Sequence, residues 1–212
     1  MSGVFITLEG GEGSGKSTLA KELARRLEEI GRKVLLTEEP GGTLLGEQFW
    51  RYLRDPHSPP LSPMAELLWF EAARAQHVET VVRPALGEGA VVICDRFADS
   101  SVAYQGFGRE LGREVVERLN AIATAGLQPD LTLLLDLPPE AGLSRAQFLE
   151  HGAGATKLRD VIGAETLAFH QRVRVGFLQI AKDEPERIVT IDASKAIDEV
   201  SEESWRAVES RL

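Results

Sequence analysis

Gly10, Gly11, Glu12, Gly13, Ser14, Gly15, Lys16 and Ser17 satisfy the pattern G-x-x-x-x-G-K-[ST] in full. Glycines at these positions let backbone N–H groups curl around phosphate oxygens, and a helix starting at Lys16 adds its positive end. Lys16 is placed to bridge the β- and γ-phosphates of a nucleotide, and the Ser17 hydroxyl to ligate Mg²⁺. Thr18 continues the same turn. The chemistry on offer is phosphoryl transfer, which depends on positioning and charge neutralisation more than on an acid–base pair.

Other residues fit around that loop. Val91-Val92-Ile93-Cys94-Asp95 is an apolar run ending in a carboxylate, the form in which a metal-organising aspartate sits beside such a loop. Leu133-Leu134-Leu135-Asp136 has the same form and competes for the role. Arg96 follows Asp95 and points into the crevice at the strand's carboxyl end; the plainer alternative is a surface ion pair. Phe70 and Arg74 share a helical face and could hold a nucleobase by stacking and a directed hydrogen bond. Spacing alone favours a core phenylalanine beside a solvated arginine. His77, one turn on, reads as structural. Arg145, Lys157 and Arg159 flank a glycine-rich segment, where they either close over a transferring phosphoryl group or solvate an exposed loop.

These residues need a frame. Short runs rich in Val, Ile and Leu at 4–9, 33–37, 90–95, 131–136 and 187–191 read as buried parallel strands. Between them, 17–30, 62–86 and 165–182 carry apolar residues at helical spacing, with Ser62-Pro63 as a helix start. Alternation of this kind predicts one α/β/α domain over residues 1–212, a rigid proline-rich loop at 55–63 and a mobile segment at 152–163. At 212 residues, 43% hydrophobic and 27% charged, the chain has material for a sizeable core and is not a disordered sequence. Its net charge of −9 argues against a nucleic-acid partner, since phosphate backbones need a basic surface. The apolar runs are too short for a membrane span, and the opening residues read as a strand rather than a leader. One cysteine, Cys94, excludes an internal disulfide and fits a cytoplasmic location.

Glu9-Gly10-Gly11-Glu12, Glu39-Pro40-Gly41-Gly42-Thr43, Phe70-Glu71-Ala72-Ala73-Arg74, Asp95-Arg96-Phe97 and Ser101-Val102-Ala103-Tyr104-Gln105-Gly106 occur in that order. Leu135-Asp136 and Ile191-Asp192-Ala193-Ser194 extend the series towards the C-terminus. With these motifs the chain resembles the bacterial thymidylate kinase family of P-loop nucleoside-monophosphate kinases. The resemblance implies a three-layer α/β/α P-loop kinase fold with a central, mostly parallel five-stranded sheet and a mobile lid at about 143–163. It implies transfer of the γ-phosphoryl of ATP to dTMP with Mg²⁺, held by Ser17 and Asp95. By the same likeness the loop from Gly10 to Thr18, Arg145 and Ser194 bind ATP, and Lys16, Arg96, Arg145 and Arg159 are catalytic. Phe70 stacks on thymine, Arg74 hydrogen-bonds it, Arg96 grips the dTMP phosphate and Glu12 lies near the sugar 3′-hydroxyl. Ser101 and Gln105 line that site, Tyr104 crowds the 2′ position, and a homodimer is implied. The chain departs from the family pattern at Glu38 and Trp50, where arginines are usual, at Gln147, and in the lid sequence Leu158-Arg159-Asp160-Val161.

Three other readings stay open. One is a P-loop kinase of another nucleotide, a nucleoside or another small acceptor; for a nucleoside it would need a carboxylate base in the crevice, for which Glu12 or Glu38 could serve. A nucleotide-dependent switch is disfavoured because Asn-Lys-x-Asp, the guanine-reading motif, is absent from the chain. A nucleotide-binding relative that transfers phosphate poorly would account for Glu38, Trp50 and the lid.

Overall fold

The computed structural model of the protein describes residues 3–152 and 165–212. Strands β1 (Val4–Glu9), β2 (Val34–Glu38), β3 (Val91–Asp95), β4 (Leu131–Asp136) and β5 (Ile188–Asp192) form one sheet in the order β2-β3-β1-β4-β5. Every strand pairing is parallel, so the sheet is wholly rather than mostly parallel. β1, β3 and β4 are buried along nearly their whole length, as continuous Val/Ile/Leu runs require when helices cover both faces. The register pairs Leu8 and Glu38 with Asp95, and Asp136 with Asp192, so the carboxyl ends of the strands share one edge. Open α/β sheets bind ligands outside that edge, where strand order reverses beside β1.

The described helices are α1 (Lys16–Glu29), α2 (Leu44–Arg54), α3 (Pro63–His77), α4 (Arg83–Gly87), α5 (Ala98–Ser101), α6 (Arg113–Ala123), α7 (Pro139–Gly152), α8 (Leu167–Asp183) and α9 (Ile197–Glu209). Two π-helical stretches, Val78–Val82 and Val102–Gly108, join α3 to α4 and continue α5. The helix predicted over 62–86 is therefore real but changes pitch in its middle. Ser62 caps α3, its Oγ accepting from the Ala65 N–H at 3.3 Å. Leu19, Leu23 and Leu27 of α1 pack against Ile6, Leu8, Leu131 and Leu133, which clamps the helix after the phosphate loop onto the sheet.

Residues 143–152, the first part of the expected lid, are all of α7 but its first four residues. Arg159, Lys157 and most of the glycine-rich stretch lie outside the described residues. The beginning of α7 rests on the phosphate loop with no side chain between them. Gly13 has φ 64°, and a Cβ there would lie 2.1 Å from the Gly142 carbonyl oxygen. A Cβ on Gly142 would lie 2.2 Å from the Glu12 carbonyl oxygen. Both distances are well inside contact, so glycine is required on each side.

Candidate active site

The loop between β1 and α1 folds around the Lys16 ammonium. Lys16 Nζ donates to the carbonyls of Gly10 and Gly11 at 3.1 and 2.9 Å and to Ser14 Oγ at 3.2 Å. Burial, with Arg96 nearby, pulls its pKa down to about 8. Beside it the exposed Ser17 donates from Oγ to Asp95 Oδ2 at 2.5 Å. Asp136 is held differently. Both its oxygens accept from Arg174 of α8, at 2.7 and 2.9 Å. The two strand-end aspartates thus differ in partner: Asp95 accepts from Ser17, and Asp136 from a cation 38 residues further along the chain.

Arg96 does not pair with Asp95 as a surface ion pair. Its Nη2 donates to Glu12 Oε1 at 2.9 Å and its Nη1 to the Gly10 carbonyl at 3.0 Å. The same Glu12 oxygen accepts from the Tyr104 hydroxyl at 2.9 Å, and the Arg96 guanidinium lies 5.0 Å from the Tyr104 ring centre. Burial pushes the Glu12 carboxyl up, but Arg96, Lys16 and the Tyr104 hydroxyl hold it below its usual range. Arg96 has φ 71°, a left-handed conformation that costs a non-glycine residue about 1–3 kcal/mol and persists only where its surroundings enforce it. Lys16, Glu12, Arg96 and Tyr104 therefore form one cluster of alternating charge and hydrogen bonds at the sheet edge.

Phe70 packs against the core as the plainer reading has it, but Arg74 departs from that reading. Phe70 is half-buried and meets Phe49 edge-on, with centroids 4.7 Å apart. Arg74 is 2% exposed, so it is not a solvated arginine. Its Nε donates to Glu39 at 2.8 Å, and its Nη1 faces Glu71, Ser101 and Asn120 at 2.7, 3.0 and 2.7 Å. Nη2 donates to the Phe97 carbonyl at 3.1 Å, leaving that nitrogen one further hydrogen. Ser101 is drawn into this network. Gln105 turns its amide nitrogen to Glu66 at 2.8 Å, within a group completed by Arg109. His77 is structural as expected: it is fully buried between Glu39 and Thr37 at 3.0 and 2.7 Å.

On the other side of the phosphate loop a cleft of about 670 Å³ is lined by Ser14, Gly15, Thr18, Arg145, Ala193 and Lys195, among others. Arg145 Nη1 donates to the Ala193 carbonyl at 2.9 Å and so bridges α7 to the loop after β5. Ser194, between two lining residues, turns its own N–H and hydroxyl to Asp192 Oδ1 at 2.9 and 2.6 Å. Glu38 is exposed at the end of β2, and the Arg54 guanidinium lies 4.2 Å from the Trp50 ring centre.

The phosphate loop thus has a cleft on one flank and an arginine–carboxylate–tyrosine cluster on the other. The family model described as thymidylate kinase matches residues 8–204. The chain belongs to the thymidylate kinase family. A thymidylate kinase of Synechococcus sp. (strain JA-2-3B'a(2-13)) is 51% identical over 209 residues, covering 99% of this chain and 96% of that protein. One from Trichlorobacter lovleyi is 50% identical over 210 residues, covering 99% and 98%. The crystal structure of thymidylate kinase from Ehrlichia chaffeensis superposes with a TM-score of 0.78 at 34% identity, covering 99% of each chain.

Sequence reasoning missed the residues that hold thymidylate-kinase motifs in place. Glu39 lay inside a quoted motif, yet its role as joint anchor of Arg74 and His77 had no local signal. Arg174, Asn120, Glu66 and Arg109 belong to no short motif, and only the folded chain brings them to the site.

Proposed function

We propose that this chain transfers the γ-phosphoryl group of ATP to dTMP, giving ADP and dTDP. The observation that carries this reading is the cluster of Lys16, Glu12, Arg96 and Tyr104 beside the donor cleft. The acceptor is a phosphate oxygen, so the bond from the γ-phosphorus to the β,γ-bridging oxygen breaks as that from the dTMP oxygen forms. No strong base is needed. Lys16 leaves its loop carbonyls for the donor's phosphates, and the glycine amides bind the rest of the chain. Arg96, already neutralised by Glu12, clamps the acceptor phosphate and aligns it for in-line attack. Tyr104 stands against the sugar, Phe70 offers a ring face to the base, and Arg74 holds that wall rigid with a single free hydrogen to direct at it. Ser101 and Gln105 complete the wall. Ser17 and Asp95 supply the oxygen donors that Mg²⁺ prefers, with phosphates and water for the remainder. When bound, that ion neutralises charge on the transferring phosphoryl group. We assign the protein a cytoplasmic location and a homodimeric state on the family likeness; none of the described helices is long and apolar enough to cross a membrane.

The test is ADP release from MgATP against a panel of nucleosides and nucleoside monophosphates. Release that depends on dTMP supports the reading; release with thymidine alone, or with no acceptor, overturns it. In the same assay Arg96→Ala raises KM for dTMP by about ten- to thirtyfold and also lowers kcat, because the clamp both binds and aligns. An unchanged KM for dTMP removes Arg96 from the acceptor site.

Arg145 is placed by packed helix and by its bond to Ala193, with one edge of the guanidinium left for the donor. Arg145→Ala lowers kcat by about tenfold at saturating substrates, a smaller loss than for an arginine wholly devoted to the transition state. A change under about threefold, roughly 0.65 kcal/mol, shows that the catalytic cation comes from elsewhere.

A further inference from the structure

β1 ends in a glutamate that none of the roles above uses. Glu9 is 0% exposed, at the point where the strand hands over to the phosphate loop. Its Oε1 accepts from the N–H groups of Phe97 and Ser100, at 2.8 and 3.3 Å. Its Oε2 shares a hydrogen bond of 2.6 Å with Ser100 Oγ. That hydroxyl in turn lies 3.3 Å from Arg96 Nη1 and accepts from it. One buried carboxyl therefore holds the backbone immediately after Arg96 and, through Ser100, the guanidinium itself.

From this geometry we infer that Glu9 is a positioning residue for the acceptor-phosphate clamp: it fixes the left-handed turn at Arg96 and the direction of its guanidinium. The inference rests on the proposed role of Arg96. The division of labour with Glu12 follows from the contacts. Glu12 touches the guanidinium directly and supplies its counter-charge. Glu9 touches only the turn and Ser100, and acts through hydrogen bonds. Burial, reinforced by neighbouring Asp99, raises its carboxyl to about 8, which suits a bracket better than a counter-ion. Glutamine has the same shape. In Glu9→Gln, Oε1 still accepts both N–H groups and the amide nitrogen donates to Ser100 Oγ.

The experiment is calorimetric titration of thymidine and of dTMP into the wild-type protein, Glu9→Ala, Glu9→Gln and Ser100→Ala. Thymidine lacks the phosphate, so it reports on the base and sugar pocket without the clamp. Glu9→Ala weakens dTMP binding by about tenfold or more and thymidine binding by less than about threefold, since a misdirected clamp costs only the phosphate-dependent part. Glu9→Gln stays within about threefold of wild type for both ligands, and Ser100→Ala weakens dTMP selectively by about three- to tenfold. Equal weakening of both ligands in Glu9→Ala overturns the inference, as does a glutamine variant as defective as the alanine one. If Glu9→Ala does not fold, Ser100→Ala decides, and unchanged dTMP affinity in that variant overturns it. Failure of the underlying reading looks different: wild-type protein then binds thymidine as tightly as dTMP, and the positioning role falls with it.

Discussion

Lys16→Met lowers kcat by at least about a hundredfold and weakens ATP binding, the loss expected when a charge aimed at transition-state oxygens is removed. The ammonium lies within the phosphate loop itself, on the carbonyls of Gly10 and Gly11 and on Ser14 Oγ. Methionine keeps the length and much of the packing of the side chain, so the variant isolates the charge. Because burial lowers the lysine pKa to about 8, the charged form is lost as pH rises through that value. kcat/KM for ATP, which reports the free enzyme, accordingly falls on the alkaline side. Steady-state rates at saturating ATP and dTMP provide the check. Retention of more than about a tenth of wild-type kcat, a loss under ~1.4 kcal/mol, removes Lys16 from the mechanism.

Arg74→Met destabilises the fold by about 3–5 kcal/mol, the range for breaking a buried ion pair by deleting one partner. The guanidinium faces two buried carboxylates, Glu39 and Glu71, at 2.8 and 2.7 Å. Burial already lifts the Glu71 carboxyl above its usual range against the pull of Arg74, and one of its oxygens has no partner among the described residues. Methionine fills much of the volume but removes the donor to Glu71, the Asn120 amide oxygen and the Phe97 carbonyl, and leaves Glu39 with His77 alone. Unlike a kinetic lesion, this one appears without substrate. Urea titration registers it directly, and the melting temperature falls by roughly 6–20 °C for a chain of this size. Adding Glu39→Gln to Arg74→Met recovers part of the loss, because the two changes share one network and are not additive. A loss below about 1 kcal/mol for Arg74→Met shows that the network is not a stabilising anchor.

The contrast between these two residues shows what a sequence carries. Lys16 was legible because its chemistry is written within eight consecutive positions, flanked by a strand and a helix whose periodicity is local. The five strands were legible for the same reason: β1 and β4 begin and end where the apolar runs do, β2 and β5 shift by one residue, and β3 begins one residue later. Arg74 was legible as a residue to watch but not as what it is. Its partners Glu39, Ser101 and Asn120 lie 35, 27 and 46 residues away on separate elements, and no spacing rule joins them. Asp95 and Asp136 end nearly identical strands, and their partners, Ser17 for one and Arg174 of α8 for the other, are set by the fold. Glu9 was hidden differently. It sat in a familiar run of residues, next to a motif loud enough to claim all the attention.

The glycine-to-glycine seat of α7 on the phosphate loop has a mechanical consequence. With a carbonyl of each segment where a side chain of the other would stand, the two backbones touch without a compressible layer between them. Such a joint has no backlash. Three residues beyond Gly142 in the same helix stands Arg145, which is tied in turn to the Ala193 carbonyl. The loop, the first turn of α7 and the loop after β5 are thus joined through backbone contact and a single side chain, Arg145, which leaves little room for one to shift without the others.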